Sequence, residues 1–364
     1  MRQTYARVDL GAFSHNIQAV RQAIGKDVML MAVVKADAYG HGLCRMAERA
    51  EKDGVDYLAV ALAEEGLALR KAGITLPILV LAGLSEESTD MAVEAGLTLT
   101  VFTKDHLRFA ESSSKKHHKP ALAHIKLDTG MNRIGVKSRG ELKSLLQTAK
   151  GLKNVRITGA FTHFACADAV SADHTLEQFK RFNALAEELP DGLLLHASGT
   201  SALLRFPETR LNMVRAGIAL YGYSPVSTTA DLKPVLSWFA EITHIKTAQK
   251  GEYVSYGATI HLQRDTRIAT LAVGYGDGYN RGLSNKASVL VGGVRCPVLG
   301  RVCMDQIMAD ITDAGDVQIG DKAVLLGQSG GERIDALDLA DMLNTIPYEV
   351  LLSITSRVPR IYED

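Results

Sequence analysis

Short apolar runs, each bounded by polar or glycine-containing segments, recur along the first two thirds of the chain. The eight runs are MLMAVV from Met29, YLAVA from Tyr57, PILVLAG from Pro77, LTLTVF from Leu97, ALAHIKLD from Ala121, VRITGAFTHF from Val155, LLLHAS from Leu193 and MVRAGIALYG from Met213. Helix-like segments such as CRMAERAEKDG lie between them. Strands that alternate with helices indicate a parallel sheet. Eight such strands predict an α/β fold of the (β/α)8 TIM-barrel type, with a doubly wound sheet as the alternative.

The pattern changes near Pro234. From there, short runs rich in β-branched residues follow one another closely and are separated by glycine or charged turns. This spacing is typical of an antiparallel β domain. One helix is expected over about 335–343 and a last strand over about 348–355. We therefore predict a barrel over residues 1–235 and a C-terminal, mostly antiparallel β domain over residues 236–364.

Composition narrows the classes of partner. The 364 residues include 41 acidic and 41 basic side chains, so the formal net charge is zero and a nucleic-acid partner is not expected. No apolar run approaches membrane-spanning length and the N-terminus has no apolar signal region, so we expect a cytoplasmic protein without a membrane partner. The cysteines and histidines lack metal-ligand spacing, and no metal is predicted. The run KKHHK at 115–119 is expected to be a solvated loop.

Several basic and imidazole side chains fall at the ends of predicted barrel strands. These are Lys35 after the first strand, Arg133 after the fifth, His163 after the sixth, His196 after the seventh and Arg215 in the eighth. Active sites of such barrels lie at the C-terminal ends of the strands. A lysine at the end of a dry strand is suited to forming a Schiff base, because burial lowers the pKa of its amine. The segments HASGTS (196–201) and AGIALYG (216–222) offer hydroxyl and main-chain N–H groups to a phosphate.

Motifs spread over the whole chain resemble those of one enzyme family. They are AVVKADAYGHG, IKLDTGMNRIG, THFACAD, LRFPE, NMVRAGIALYG, GEYVSYGATI, VGYGDGY and GRVCMDQ. In these runs the chain is similar to the bacterial alanine racemases. The resemblance implies pyridoxal 5'-phosphate (PLP) as cofactor. It also implies a head-to-tail homodimer in which the second domain of one subunit completes the active site of the other.

The resemblance also implies roles for individual residues. Lys35 would hold the cofactor as a Schiff base and act as one catalytic base, and Tyr256 would be the second base, supplied by the other subunit. Arg215 would face the pyridine nitrogen and would be linked to Tyr256 through His163. Arg133 would hold the phenolic oxygen of the cofactor or the substrate carboxylate. Two bases on opposite faces of Cα can remove a proton from one face and return one to the other, which interconverts L- and D-alanine.

Further roles implied by the resemblance concern the phosphate, the substrate and access to the site. The phosphate would be held by Tyr39, Thr200, Gly217, Ile218 and Ser356. The substrate would contact Arg133, Met304 and Tyr275. Lys126 matches a lysine that is often carbamylated in the family and then positions Arg133. A corridor leading to the site would be lined by Asp168, His196, Arg281 and Arg301.

The chain departs from the family at one position. Relatives often have a tyrosine directly before RVPR, where this chain has Ser356. A serine keeps a hydroxyl but lacks the ring, so we expect a wider inner gate and a side activity on serine. Differences of this size in a pocket are worth about 1–3 kcal/mol of discrimination. Alanine would therefore remain the main substrate.

Two other functions stay open at this point. A PLP-dependent amino-acid decarboxylase would share the fold, but it is expected to place an acidic residue where Arg215 stands. A non-catalytic PLP carrier would lack the β domain and with it Tyr256. The sequence leaves open whether the enzyme supplies D-alanine for peptidoglycan or consumes it in catabolism.

Overall fold

A computed structural model describes residues 4–364 and divides them into two compact units. The barrel unit comprises residues 13–38 and 42–233. The β unit comprises the described residues through Ala12, residues 39–41 and residues 234–364. The N-terminal strand β1 (Tyr5–Asp9) therefore lies outside the barrel, where it pairs with strands of the β unit. The domain boundary expected at residue 235 stays a prediction.

The barrel unit contains eight parallel strands. They are β2 (Met29–Val33), β3 (Tyr57–Val60), β4 (Ile78–Gly83), β5 (Thr98–Val101), β6 (Ala121–Lys126), β7 (Val155–Phe161), β8 (Leu194–His196) and β9 (Met213–Ala216). Their order in the sheet is β8-β7-β6-β5-β4-β3-β2-β9. The sheet closes because the N–H groups of Asn212 and Arg215 donate to the carbonyls of Leu195 and Ser198, at 3.2 and 2.9 Å. The predicted (β/α)8 barrel is confirmed.

Helices alternate with these strands. They are α1 (Leu10–Ile24), α2 (Lys35–Gly40), α3 (Leu43–Lys52), α4 (Ala63–Lys71), α5 (Glu86–Glu94), α6 (Lys104–His117), α7 (Arg139–Lys150), α8 (Asp173–Ala186) and α9 (Thr200–Arg205), with 3-10 helices at Pro207–Thr209 and Ile218–Tyr221. Helix α7 begins with a capping box, in which Ser138 and Glu141 each accept from the other's N–H.

The basic run at 115–119 is not the loop that its charge suggested. Its first three residues form the last turn of α6, and His118 ends the helix in a left-handed conformation with φ of 53°. Cationic side chains are favoured there because the helix dipole is negative at its C-terminus. Lys115 also pairs with Glu111, at 3.1 Å.

The β unit is built around one nine-stranded sheet. Its remaining strands are β10 (Leu236–Ala248), β13 (Thr266–Leu271), β14 (Ser288–Val291), β15 (Val294–Leu299), β16 (Ile307–Asp310), β17 (Lys322–Ser329), β18 (Glu332–Ile334) and β19 (Arg360–Glu363), while β11 (Tyr253–Val254) and β12 (Ile260–His261) form a separate pair. Neighbouring strands of the nine-stranded sheet are antiparallel, except that β1 and β19 are parallel. The predicted antiparallel β domain is confirmed. Three short 3-10 helices, Tyr256–Ala258, Tyr275–Asp277 and Arg281–Leu283, connect its strands.

Two helices lie near the C-terminus. The expected helix is present as α10 (Ala336–Leu343), capped by the side chain of Asp335. The strand expected over 348–355 is wrong, because this segment is largely the helix α11 (Pro347–Ser353). Proline is favoured in the first turn of a helix, where its missing N–H would have no partner. Short apolar runs alone do not separate a strand from a buried helix. Over residues 4–364, no helix is both long and apolar enough to cross a membrane.

Candidate active site

Lys35 lies beyond the end of β2 and begins an unusual turn. The four residues that follow, 36–39, all have φ between 51° and 55°, so α2 is a left-handed turn. L-amino acids lose about 1–2 kcal/mol per residue in this conformation. The N–H of Ala36 is held by Glu65, whose carboxylate accepts it at 2.6 Å. Strained backbone is concentrated at functional sites. The left-handed turn therefore indicates that the path of the chain directly after Lys35 matters for function.

The amine of Lys35 has an altered acidity. Its pKa is lowered from the ordinary value by burial and then by the charge of Arg133, while Glu65 acts in the opposite direction. A lysine with a lowered pKa is more often neutral and therefore nucleophilic. Arg133 itself is exposed, in the loop after β6. Asp128 folds that loop by accepting from the N–H groups of Gly130 and Asn132, at 3.1 and 3.0 Å.

Arg215 is a buried cation held by acceptors on neighbouring strands. Its Nη1 donates to Nδ1 and to the carbonyl of His196, at 2.8 and 3.1 Å. Its Nη2 donates to the carbonyls of Thr162 and Ala197, both at 2.7 Å, and meets Nδ1 of His163 at 3.2 Å. A guanidinium has five N–H donors. Both Nη groups of Arg215 have acceptors, whereas the Nε–H has none within residues 4–364.

His163 is partly buried beside Arg215, so the structure brings together the pair that the sequence suggested. Its pKa is lowered to about 3, first by burial and then by the charge of Arg215. The imidazole is therefore neutral at neutral pH. Gly199 leaves room for the ring, since a Cβ there would lie 3.2 Å from Cε1 of His163.

Lys126 ends β6 inside the barrel and is only 3% exposed. Its Nζ donates to the carbonyl of Leu127 at 2.7 Å and lies 5.4 Å from the ring centre of Phe161. Burial, followed by the charge of Arg215, lowers the pKa of its amine to about 7. Unlike most lysines, it is therefore about half uncharged at neutral pH, and that fraction is nucleophilic.

The residues expected at the phosphate come together in the barrel unit. The hydroxyl of Thr200, at the start of α9, accepts from the N–H groups of Gly217 and Ala219, at 3.1 and 3.5 Å. Gly217 directly precedes the 3-10 helix that begins at Ile218. The first N–H groups of α9 and of this 3-10 helix have no acceptor inside their own helices. Such groups bind anions, which supports the predicted phosphate pocket.

A second group of predicted residues meets in the β unit, around Tyr275 and Met304. The N–H of Tyr275 donates to the carbonyl of Cys303 at 3.0 Å, and the N–H of Gly276 donates to the carbonyl of Met304 at 2.9 Å. Ser356 lies in the adjoining turn. The preceding residue, Thr355, donates through its hydroxyl to the carbonyl of Gly276 at 3.1 Å. The structure thus brings Tyr275, Met304 and Ser356 to one set of loops.

Tyr256 stands on a strained loop of the same unit and is 71% exposed. Its neighbours Ser255 and Gly257 have φ of 66° and 74°. Ser255 donates to the carbonyl of Arg301 at 2.7 Å, and a Cβ at Gly257 would lie 3.0 Å from the Arg301 guanidinium. Arg281, which is also expected in the corridor, is exposed on the adjoining loop. The loops of Arg281 and Arg301 are joined by Ser284, which donates to the Arg281 carbonyl and accepts from the N–H of Val302.

Two other predicted residues lie in separate surroundings. Asp168 is exposed in the loop after β7, as a residue of an access corridor requires. Tyr39 is buried in the β unit, with its ring 5.8 Å from that of Tyr348, and burial raises the pKa of its phenol.

The corridor role predicted for His196 is wrong. The ring is fully buried among the barrel strands, stacked on Phe161 at 4.8 Å and bonded to Arg215. His124 was missed altogether, although its Nδ1 lies 2.9 Å from Nε2 of His196. The signal that could have revealed His124 is a polar residue within the apolar run ALAHIKLD. Glu65 was missed because it acts through main-chain N–H groups and has no motif of its own.

Two family models match the chain. The model for the alanine racemase N-terminal domain covers residues 8–225, and the model for the alanine racemase C-terminal domain covers residues 235–362. The chain belongs to the alanine racemase family. The alternatives of a decarboxylase and a carrier protein are thereby set aside.

Individual alanine racemases match along their full length. Alanine racemase of Halothermothrix orenii is 41% identical over 370 residues, which span 100% of this chain and 97% of the relative. The solved alanine racemase of Clostridium difficile 630 has a TM-score of 0.95 at 36% identity, covering 100% of this chain and 96% of that one. The alanine racemase of Bacillus anthracis with bound L-Ala-P has a TM-score of 0.93 at 38% identity, with coverages of 100% and 96%.

Proposed function

We propose that this alanine racemase family enzyme interconverts L- and D-alanine, using PLP held by Lys35. The proposal rests on two basic residues of the barrel unit: the pKa of Lys35 is lowered by burial, and Arg215 is a buried cation whose Nε–H has no acceptor among residues 4–364. The relatives named alanine racemase, one of them solved with bound L-Ala-P, support the same substrate.

The barrel unit fits an anionic cofactor. The pKa of His163 is lowered by the charges of four basic residues, which are Arg215, Lys126, Arg133 and Lys35. Arg133 also lowers the pKa of Lys35 and of Lys126, so these positive charges are close enough to interact. A bound phosphate group would offset part of this charge and would meet the N–H groups beside Thr200. The free Nε–H of Arg215 would donate to the pyridine nitrogen. When bound, PLP withdraws electrons from the substrate and makes its Cα proton acidic.

The proton transfers fall to side chains of this chain. Lys35, released from the cofactor when substrate takes its place, would take or give the proton on one face of Cα. Tyr256 would serve the opposite face. Nη2 of Arg215 can only donate and lies 3.2 Å from Nδ1 of His163, so this nitrogen is the unprotonated one and the single ring proton lies on Nε2. That N–H can stabilise the phenolate that Tyr256 needs in order to act as a base.

We propose further that Tyr256 reaches the site from a second copy of the chain. The large side chains exposed in the β unit include Tyr253 at 64%, Tyr256 at 71%, Tyr275 at 42% and Met304 at 53%. Exposed groups of large apolar side chains commonly mark protein interfaces. A head-to-tail homodimer with two-fold symmetry would cover both copies of this surface and complete two active sites.

The assay is D-alanine formation by purified enzyme supplied with PLP and L-alanine. We expect activity in the wild type, and its loss in Lys35→Ala and in Tyr256→Phe, since each removes one base. Tyr253→Phe, which changes a neighbouring exposed phenol, is the matched control and should stay active. A wild type that forms no D-alanine would overturn the proposed function.

Mixing the two inactive variants tests the shared site. After random exchange of subunits, about half of the dimers are mixed, and each mixed dimer holds one site with both bases. The mixture should therefore regain about a quarter of wild-type activity. A mixture that stays inactive while the subunits exchange would show that both bases come from one chain.

Ser356 supports a side activity on serine. The residue is exposed beside the loops of Tyr275 and Met304, where a tyrosine would add a ring. We expect Ser356→Tyr to lower kcat/KM for serine relative to alanine by about 5- to 100-fold, the range that pocket differences of this kind produce. Ser353→Ala, three residues earlier in the same segment, is the control. An unchanged ratio in Ser356→Tyr would remove serine from the proposal.

We also propose a cytoplasmic location. The four cysteines of the chain are free thiols, as is usual in a reducing compartment.

A further inference from the structure

A line of hydrogen bonds crosses the barrel behind Arg215. Nη1 of Arg215 meets Nδ1 of His196 at 2.8 Å, and Nε2 of His196 meets Nδ1 of His124 at 2.9 Å. The three residues lie on β9, β8 and β6, and each is at most 4% exposed. The line therefore runs from strand to strand through the interior and does not reach solvent.

The first member of this line fixes the protonation of the other two. An arginine side chain can only donate, so Nδ1 of His196 must be the unprotonated acceptor. The single ring proton of His196 then lies on Nε2, which donates to Nδ1 of His124. That nitrogen is also an acceptor, so the proton of His124 lies on Nε2. Both histidines are neutral in the Nε2–H form.

The surroundings keep the two rings uncharged and fixed. The pKa of His124 is lowered to about 4 and that of His196 is lowered, in both cases by burial first and by the charge of Arg215 second. Lys126 adds a further positive charge beside His196. The ring of His124 fills space that a side chain at Gly159 would occupy, since a Cβ there would lie 2.7 Å from Nε2. Among the residues that the structure describes, Nε2 of His124 has no hydrogen-bond partner, so no donor at this end of the line opposes a proton on Nε2.

We infer that His196, oriented by His124, is a positioning residue that fixes the guanidinium of Arg215 so that its free Nε–H points consistently at the cofactor. The inference rests on the proposed function for the role of that Nε–H. Its geometric basis is that His196 supplies two acceptors to one nitrogen of Arg215, Nδ1 and the carbonyl. Loss of the ring acceptor leaves one of these, and a small displacement of a group at the reacting centre can cost about 100-fold in rate.

Nitrogen NMR tests the protonation of the two rings directly. The enzyme loaded with PLP is labelled with 15N-histidine, and the signals of His196 and His124 are assigned by their loss in His196→Asn and His124→Asn. Both rings should show one proton, on Nε2, at every pH from 8 to 6. A proton on Nδ1 of either ring, or a doubly protonated ring in this range, would overturn the inference. The spectra do not depend on turnover, so they are informative even if the proposed function fails.

A pair of variants at His196 tests positioning. In His196→Asn the amide oxygen can replace Nδ1 as the acceptor, while His196→Leu keeps comparable volume and removes it. We expect kcat for alanine to fall about 100-fold in the leucine variant and less than tenfold in the asparagine variant, with KM changed less than threefold in both. Borohydride reduction followed by mass measurement should show the cofactor attached to Lys35 in each variant.

The matched control is the same pair of changes at His106, a partly buried histidine on α6 outside the line. Both changes there should leave kcat within twofold of wild type. Wild-type kcat in His196→Leu, or equal losses in His196→Asn and His196→Leu, would overturn the positioning role. A wild type that binds no cofactor would instead contradict the proposed function, so the two failures are distinguishable.

Discussion

Lys126 is expected to react with carbon dioxide and to carry it as a carbamate. Only a neutral amine reacts in this way. With a pKa of about 7, close to half of the Lys126 amines are neutral at pH 7. An unshifted lysine is neutral in about one molecule in 3,000 at that pH, so the reactive fraction is raised by about three orders of magnitude. The carbamate would also replace a buried positive charge with a negative one facing Arg215 and Arg133, the two arginines that lower the Lys126 pKa.

The assay is carbon NMR of the enzyme equilibrated with 13C-bicarbonate. We expect one protein-bound carbamate signal in the wild type at pH 8 and its loss in Lys126→Arg, which keeps the charge and cannot form the carbamate. The signal should weaken as the pH falls below about 7, because protonation removes the reactive amine. Lys137→Arg, a change of an exposed lysine in the loop after β6, should leave the signal in place. No signal in the wild type, or an equal signal in Lys126→Arg, would show that Lys126 carries no carbamate.

Three further predictions concern stability. Replacing Ala36 in the left-handed turn with valine should lower the free energy of unfolding by about 1–2 kcal/mol, while glycine should leave it equal or slightly higher. Urea unfolding of the two variants measures the difference. Equal losses of stability in both variants would show that the turn is not strained at Ala36. Gly278→Ala should cost about 3 kcal/mol or more, because φ is 105° and a Cβ would collide with a backbone carbonyl, whereas Gly251→Ala, with φ of 94° and open space, should cost about 1–2 kcal/mol. The pKa values of His163 and His124 in the folded protein are about 3 and 4, so on acidification these histidines are protonated in the unfolded chain before they are protonated in the folded one. The free energy of unfolding should therefore be level above about pH 6.5 and fall below it by up to about 1.4 kcal/mol per pH unit for each histidine. Urea midpoints that do not change from pH 8 to 5 would contradict this.

The barrel could be predicted because its strands are buried on both faces. Such strands are continuous apolar runs, and those beginning at Met29 and Tyr57 became β2 and β3 with little change in bounds. The segment 348–355 was misjudged for the same reason, since an apolar run of this length suits a buried helix equally well. Pro347, which favours the first turn of a helix, was the local signal that could have corrected it.

Site residues could be predicted from the sequence only where their place at the end of a strand is enough to bring them to the active site. Lys35 and Arg215 fall at strand ends, and the strand count places both at the same end of the barrel. His196 shares that position, but the sequence does not tell whether a ring at a strand end points into the barrel or toward solvent. The left-handed turn at 36–39 was not foreseeable either, because it contains no glycine or asparagine, the residues that usually signal positive φ.

If two different bases act on the two faces of Cα, the fate of the Cα proton in heavy water will show it. The enzyme with PLP is given L-alanine in D2O, and both enantiomers are separated in the first turnovers. We expect D-alanine to carry deuterium at Cα from its first appearance while the remaining L-alanine keeps its proton, because different groups act on the two faces. D-alanine that retains the original proton would show instead that one base serves both faces.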